Sequence, residues 1–185
     1  MAAKRIYNQT ALFGPLYAYL VVLSPPQEVI DEIATMKRQM NAIADITERN
    51  LHSKAHITLT DKLTDDAEFA ETVEGLLSGQ QAFTIAVNGW DIFDHGHSIT
   101  VYLRVETPEP IVKLAVGLKS KATTPHISLA KRLSYETYGK ILPYLQTLNY
   151  HATWQCSEVL VLRKLMSEKH LGFKESFPIE LKTNN

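Results

Sequence analysis

Two short strings in this chain carry the residue types that acid/base chemistry needs: His56-Ile57-Thr58-Leu59 and, seventy residues later, His126-Ile127-Ser128-Leu129. In each, a histidine and a hydroxyl residue alternate with aliphatic residues. In a β-strand this alternation turns the histidine and hydroxyl to one face and Ile and Leu to the other. Two such strands side by side supply two imidazoles and two hydroxyls to one pocket. Imidazoles with a pKa of about 6.5 take up and release protons near neutrality. Hydroxyls donate to anionic oxygens, so the set suits proton transfer on a phosphate ester.

The His-x-Ser/Thr triplet alone is weak, because a chain with seven histidines contains roughly one match by chance. A third match, His151-Ala152-Thr153, runs on into Trp154 and Gln155 without aliphatic framing and is assigned to chance. What chance explains poorly is the framed four-residue pattern occurring twice, near the same point in each half.

The elements that must position these strings follow from periodicity. Leu16 to Leu23 reads as a strand, and Pro25-Pro26 opens a helix to about Asn41. A polar connection leads to a short strand from His56 to Thr60. Asp65-Asp66 caps a second helix that Gly79 ends. Phe83 to Phe93 and Ser98 to Val105 read as strands joined through the turn-like Asp94-His95-Gly96-His97. A short helix from Pro108 to Leu118 precedes the second string, and Ser134 caps a helix to about Leu148. Strand-like stretches at His151 to Cys156, Glu158 to Leu165 and Leu171 to Leu181 complete the chain. Each half thus holds a histidine strand, a capped helix and further strands, an order that hints at internal duplication.

Alternation also nominates residues that contact a ligand. Ser98, Thr100, Tyr102 and Arg104 share one face of their strand, opposite Ile99, Val101, Leu103 and Val105. Tyr17 and Tyr19 lie opposite Leu16, Ala18, Leu20 and Val22. Tyr17, Tyr19 and Tyr102 are therefore candidates to stack on a base or bind a phosphate. Three lysines flank the strings. Parity puts Lys54 and Lys62 on the His56 face if the strand extends that far, whereas Lys131 falls opposite His126 unless its strand ends at Ala130.

Composition bounds the rest. With 185 residues, 45% hydrophobic and 21% charged, the chain suits a soluble globular protein of one domain over residues 1–185, or two small lobes sharing a cleft. The net charge of −1 provides no basic field for long nucleic acid, so no DNA partner is expected. No apolar run approaches the length of a membrane span, and Met1-Ala2-Ala3-Lys4-Arg5 is not followed by a secretory h-region, so a cytoplasmic location and no membrane partner are expected. Cys156 is the only cysteine and reads as a buried structural thiol. His95-Gly96-His97 reads as a hairpin tip rather than a metal site. No glycine-rich phosphate loop and no G-x-S-x-G string is present.

With Thr124-Pro125-His126-Ile127-Ser128-Leu129-Ala130-Lys131 as its better copy, the duplicated string resembles the two-histidine phosphoesterase superfamily, and within it the LigT-like 2'-5' RNA ligases and cyclic phosphodiesterases. The resemblance implies an α+β fold of two pseudo-symmetric lobes, each an antiparallel sheet with outer helices, facing across a central cleft. It implies His56 and Thr58 from one lobe and His126 and Ser128 from the other as the catalytic set. Two positions depart from the family's habit: Ala55 replaces a proline before the first string, and Lys131 stands where arginine is frequent, which removes a bidentate phosphate contact.

The chemistry then expected is cleavage of a 2',3'-cyclic or 2',5'-linked nucleotide or RNA phosphodiester. One histidine takes a proton from water or a ribose hydroxyl and the other protonates the leaving oxygen, while Thr58 and Ser128 bind the phosphate. The scheme requires no metal and no cofactor; its partner is a nucleotide or RNA end, and the protein is expected to be a monomer. Ligation through a 2',5' linkage, or a catalytically silent module that binds nucleotides or RNA ends, are the alternatives. The sequence leaves open which histidine is the acid.

Overall fold

The structure, a computed structural model, describes residues 14–168 and 172–183. The N-terminal Met1-Ala2-Ala3-Lys4-Arg5 and Leu171, where the last strand was expected to begin, lie outside the described residues. In chain order the elements are β1 (Tyr17–Leu23), α1 (Gln27–Ile43), α2 (Glu48–His52), β2 (Ile57–Thr64), α3 (Phe69–Leu77), β3 (Phe83–Asp94) and β4 (Ile99–Val105). They continue as α4 (Glu109–Gly117), β5 (His126–Leu133), α5 (Tyr135–Thr147), β6 (His151–Cys156), β7 (Glu158–Leu165) and β8 (Glu175–Glu180).

The helices form where apolar spacing and capping agree. Pro26 stands at the N-cap of α1, and Val29, Ile33, Met36, Lys37 and Met40 recur every three or four residues on its buried stripe. Ser134 caps α5 by accepting a hydrogen bond from the Thr137 backbone N–H at 3.0 Å. Periodicity missed α2, a single short turn of helix in the stretch read as a polar connection, because five residues are too few to show a period.

All strand neighbours are antiparallel, in the order β6-β3-β4-β5-β2-β1-β7-β8. The sheet falls into two four-stranded halves, β2-β1-β7-β8 and β5-β4-β3-β6, whose inner strands meet at the single residue pair Ile57 and Ile127. Each half contains the run strand, helix, histidine strand, helix: β1-α1-β2-α3 (with α2 inserted) and β4-α4-β5-α5. This is the two-lobed α+β arrangement that the family resemblance implied.

One face of the sheet carries the core. Ile57, Leu59, Ile127 and Leu129 are all essentially inaccessible, together with Leu23, Ile85, Val101 and Val161 from neighbouring strands. Burying an aliphatic side chain of this size contributes about 1.5–3 kcal/mol, so these residues fix which face of each histidine strand turns inward. The histidines and hydroxyls are left on the other face. Cys156 lies in the core as expected, and burial pushes its thiol up to about 11.

Candidate active site

The burial pattern of the two strings is identical: Ala55 and Pro125 buried, His56 and His126 partly exposed, the isoleucines buried, Thr58 and Ser128 partly exposed, the leucines buried. Ile57 pairs with Ile127 across the antiparallel junction. One step to either side of that pair, the register sets His56 opposite Ser128 and Thr58 opposite His126. Directly opposite residues point to the same face. The four expected catalytic side chains thus share the open face, each histidine facing the other lobe's hydroxyl.

The two imidazoles are held in the same way. His56 Nδ1 lies 2.8 Å from the Lys54 carbonyl oxygen, and His126 Nδ1 lies 2.8 Å from the Thr124 carbonyl oxygen. A carbonyl only accepts, so Nδ1–H donates in both and the neutral tautomer leaves the lone pair on Nε2. Neither Nε2 has a hydrogen-bond partner among the described residues. Burial is the main force pushing both imidazoles below the usual histidine value; Lys131 lowers both further, and Lys37 and His126 add to the effect on His56. The histidine–carbonyl bonds oppose the shift.

Lys62 and Lys131 take the reverse of the sides that uninterrupted alternation gave them. Along β1 and β2, Val21 pairs with Thr60 but Val22 with Thr58, so β2 carries one extra residue. The bulge flips the phase beyond it. Lys62 pairs with Tyr19 on the helix-covered face, its Nζ 6.0 Å from the Phe69 ring centroid, and not beside His56. The second lobe repeats the bulge at the equivalent point, Val101 pairing with Ala130 and Tyr102 with Ser128. There β5 does not end at Ala130. It runs to Leu133, and the bulge brings Lys131 round to the histidine face. Lys54 contributes its carbonyl to His56, while its side chain is exposed.

The tyrosines separate in the same way. Tyr102 pairs with Ser128, stacks on Phe93 at 4.2 Å between centroids, and lies 5.1 Å from the His126 ring. Phe93 meets the same imidazole edge-on at 5.0 Å. Tyr19 is a core residue: 1% exposed, its hydroxyl donates to the Asp66 and Ala67 carbonyls at 3.0 Å. It lies three residues from Val22, the partner of Thr58, and therefore on the opposite face. Tyr17 shares that face, with the Arg163 guanidinium 5.1 Å above its ring. The expected substrate role of Tyr17 and Tyr19 does not fit this placement; strand parity alone could not say which face the helices cover.

A cavity of about 410 Å³ opens beside His126, walled by Phe93, His95, Thr100, Lys131 and Arg132 among others. His95-Gly96-His97 forms the tip of the β3–β4 hairpin, with Gly96 in the left-handed region at φ 77°. The tip also lines this cavity, which sequence reasoning missed. Among the described residues no three His, Cys, Asp or Glu side chains gather as a metal cluster.

Two supports were also missed. Lys37, on the buried stripe of α1, is 1% exposed and donates to the Ser53 carbonyl at 2.7 Å and the Ser53 hydroxyl at 2.8 Å, pinning the segment that leads into His56. Burial and then Lys131 lower its ammonium to about 8. Asn50, on α2, exchanges two hydrogen bonds of 2.9 Å with the Lys131 backbone, so the first lobe holds Lys131 in place.

Comparison with known proteins agrees with this geometry. The family model described as the 2'-5' RNA ligase superfamily matches residues 25–167. TT0787 of Thermus thermophilus is similar in fold, with 14% identity and a TM-score of 0.60 over 89% of this chain and 99% of that one. LigT of E. coli is similar in its apo form, with 15% identity, a TM-score of 0.57 and coverage of 89% and 95%. LigT complexed with 3'-AMP is similar with 16% identity, a TM-score of 0.55 and coverage of 90% and 95%. No curated protein sequence matches the chain. With a histidine and a hydroxyl from each lobe meeting across the Ile57–Ile127 junction, this chain belongs to the 2'-5' RNA ligase superfamily of two-histidine phosphoesterases.

Proposed function

We propose that the protein is a phosphodiesterase that cleaves 2',3'-cyclic or 2',5'-linked nucleotide or RNA phosphodiesters by two-histidine acid/base catalysis. The observation that carries this reading is the matched pair of Nδ1–carbonyl hydrogen bonds, which leave two Nε2 atoms, one per lobe, as the free proton carriers of the open face. LigT, of similar fold, has been crystallised with 3'-AMP, which supports a nucleotide as ligand.

The neutral imidazole takes a proton at Nε2 from water, whose oxygen attacks phosphorus. The P–O bond to the leaving ribose oxygen breaks, and that oxygen takes the proton from Nε2 of the other, protonated imidazole. The hydroxyls of Thr58 and Ser128 donate to the non-bridging oxygens, where charge grows in the transition state. Lys131 supplies a point charge to the same oxygens, and its neighbourhood to both imidazoles is seen in its effect on each. Where the attacking oxygen is the neighbouring ribose hydroxyl instead of water, the same proton transfers expel the 5'-oxygen and leave a 2',3'-cyclic phosphate; because the histidines are held alike, their roles exchange when that step runs backwards, and the reverse joins a ribose 5'-hydroxyl to the cyclic phosphate. No step calls on a metal.

The test is a panel of 2',3'-cyclic mononucleotides, 2',5'-linked dinucleotides and 3',5'-linked controls, assayed in EDTA with the product isomers identified. Turnover of a cyclic or 2',5'-linked substrate to a single phosphate isomer is expected. Inactivity on every diester, with mononucleotides still bound, would leave a nucleotide-binding module instead.

A further inference from the structure

The two lobes match residue for residue near the histidines, and then diverge in charge. Beyond the shared bulge, the first lobe presents the row Asp61, Leu20 and Leu162 on the open face, set by the pairs Leu20–Asp61 and Leu20–Leu162. The equivalent row of the second lobe is Thr100 with Phe93 on one side and Lys131-Arg132 on the other. A second irregularity makes the difference. Between Val101–Ala130 and Ile99–Leu133, β4 advances two residues while β5 advances three, so Lys131 and Arg132 together oppose Thr100. Arg132 takes the left-handed conformation, φ 59°, that this extra residue demands. Two consecutive cations therefore line the cavity beside His126, where simple alternation would send one of them to the core.

No carboxylate is among the described residues that line the cavity. Among the described residues, no carboxylate pairs with Lys131, Arg132, Lys37 or Arg49, although Arg49 and Arg132 both act on Lys131. His95 and His97 form the opposite rim, His95 turned by a 3.1 Å contact between its Nε2 and the Thr100 hydroxyl oxygen. Of the two acids of β3 near the cavity, Asp91 pairs with Tyr102 on the open face and acts on the Tyr102 hydroxyl, outside the cavity lining, while Asp94 pairs with Ile99 and so lies on the other face, where it accepts from the Tyr135 hydroxyl at 2.6 Å and the Gly96 N–H at 2.8 Å. One monoanionic diester between the histidines engages Lys131 but leaves Arg132, His95 and His97 without an anion.

We infer that this cavity is a second phosphate subsite, so that the preferred substrate is a diester whose nucleoside carries a further phosphate, held by Arg132 and the His95/His97 rim. The inference rests on the phosphodiesterase reading, and it assigns a substrate class that reading leaves open. The acidic and apolar row of the first lobe makes the choice directional: the phosphorylated end enters on the cavity side.

The test uses product analogues and a substrate pair. Wild-type protein in EDTA at 0.15 M salt is titrated with adenosine 2'-phosphate, adenosine 3'-phosphate, and the matching 2',5'- and 3',5'-bisphosphates. At least one bisphosphate should bind on the order of tenfold more tightly than its monophosphate, the scale of one charge-assisted contact. Arg132→Gln, and separately His95→Asn/His97→Asn, should bring that ratio close to one while leaving monophosphate affinity and turnover of a 2',3'-cyclic nucleotide that carries no further phosphate unchanged. Equal affinity for mono- and bisphosphates in the wild type, or a ratio that survives both variants, overturns the subsite. Failure of the phosphodiesterase reading looks different: no diester is turned over, whatever the bisphosphate ratio.

Discussion

Ile57 of β2 pairs with Ile127 of β5, and these two buried side chains are the hinge about which the site is symmetric. Their register places each histidine opposite the other lobe's hydroxyl, so neither half of the duplicated string holds a complete site. Shifting either strand by one residue would turn that strand's isoleucine outward and its histidine into the core.

The hydroxyls are predicted to act on the transition state. Thr58→Val and Ser128→Ala should each lower kcat by roughly 100- to 1,000-fold, the range for loss of one donor to a developing oxyanion. Thr58→Ser should recover most of the activity. Steady-state kinetics with a 2',3'-cyclic nucleotide separates this from a binding role, which would raise KM and spare kcat.

The lowered imidazoles set the pH dependence. The acid must be protonated, so the rate falls as pH rises above its pKa; the base must be neutral, so the rate falls as pH drops below its own. Both groups lie below the usual value of about 6.5 in the free protein. The kcat/KM profile should therefore be a bell centred on the acid side of neutrality, its two limbs belonging to the coupled pair. A bound diester adds negative charge and raises both groups, moving the kcat bell to higher pH. A kcat/KM that still climbs above neutral pH would contradict this assignment.

Lys37 acts on one histidine and not on the other. It contributes to lowering His56, whereas burial and Lys131 are what lower His126. Lys37→Met should raise the His56 pKa, because a neighbouring cation is removed, and leave His126 where it was. Separate NMR titrations of the two imidazoles read this directly; equal movement of both would point to a general loosening of the site.

Asn50 joins the lobes through the Lys131 backbone and also donates to the Ile46 carbonyl at 2.7 Å. Asn50→Ala removes these three bonds and a fourth, 3.3 Å to the Thr47 hydroxyl, and should cost about 1–3 kcal/mol of stability in chemical denaturation. KM should rise more than kcat falls, since the lysine loses its position while the histidines keep their carbonyl partners.

Much of this site was legible in the sequence because alternation is a property of the strand itself. His56, Thr58, His126 and Ser128 share a face, and Tyr102 joins them, because aliphatic neighbours commit the other face to the core. What escaped was phase and packing. One extra residue in β2 removed Lys62, the matching one in β5 brought in Lys131, and Arg132 entered through a left-handed residue that no apolar pattern marks. Tyr19 looked like a ligand contact because parity assigns residues to a face without saying that α3 and its Phe69, 4.9 Å from the tyrosine ring, cover it. Lys37 stayed hidden because a lysine at a helical core position declares its role only once Ser53 is seen beneath its ammonium.

The central claim, that two histidines from two lobes form one acid/base pair, is tested most directly by hydrolysis of a 2',3'-cyclic nucleotide in EDTA by wild type, His56→Ala, His126→Ala and the double variant. The account predicts turnover by the wild type and a loss of about 100- to 10,000-fold in each single variant. The double variant should be far less impaired than the product of the two single losses, because neither histidine works without the other. Wild-type rates in either single variant, or a wild type that EDTA silences, would contradict it.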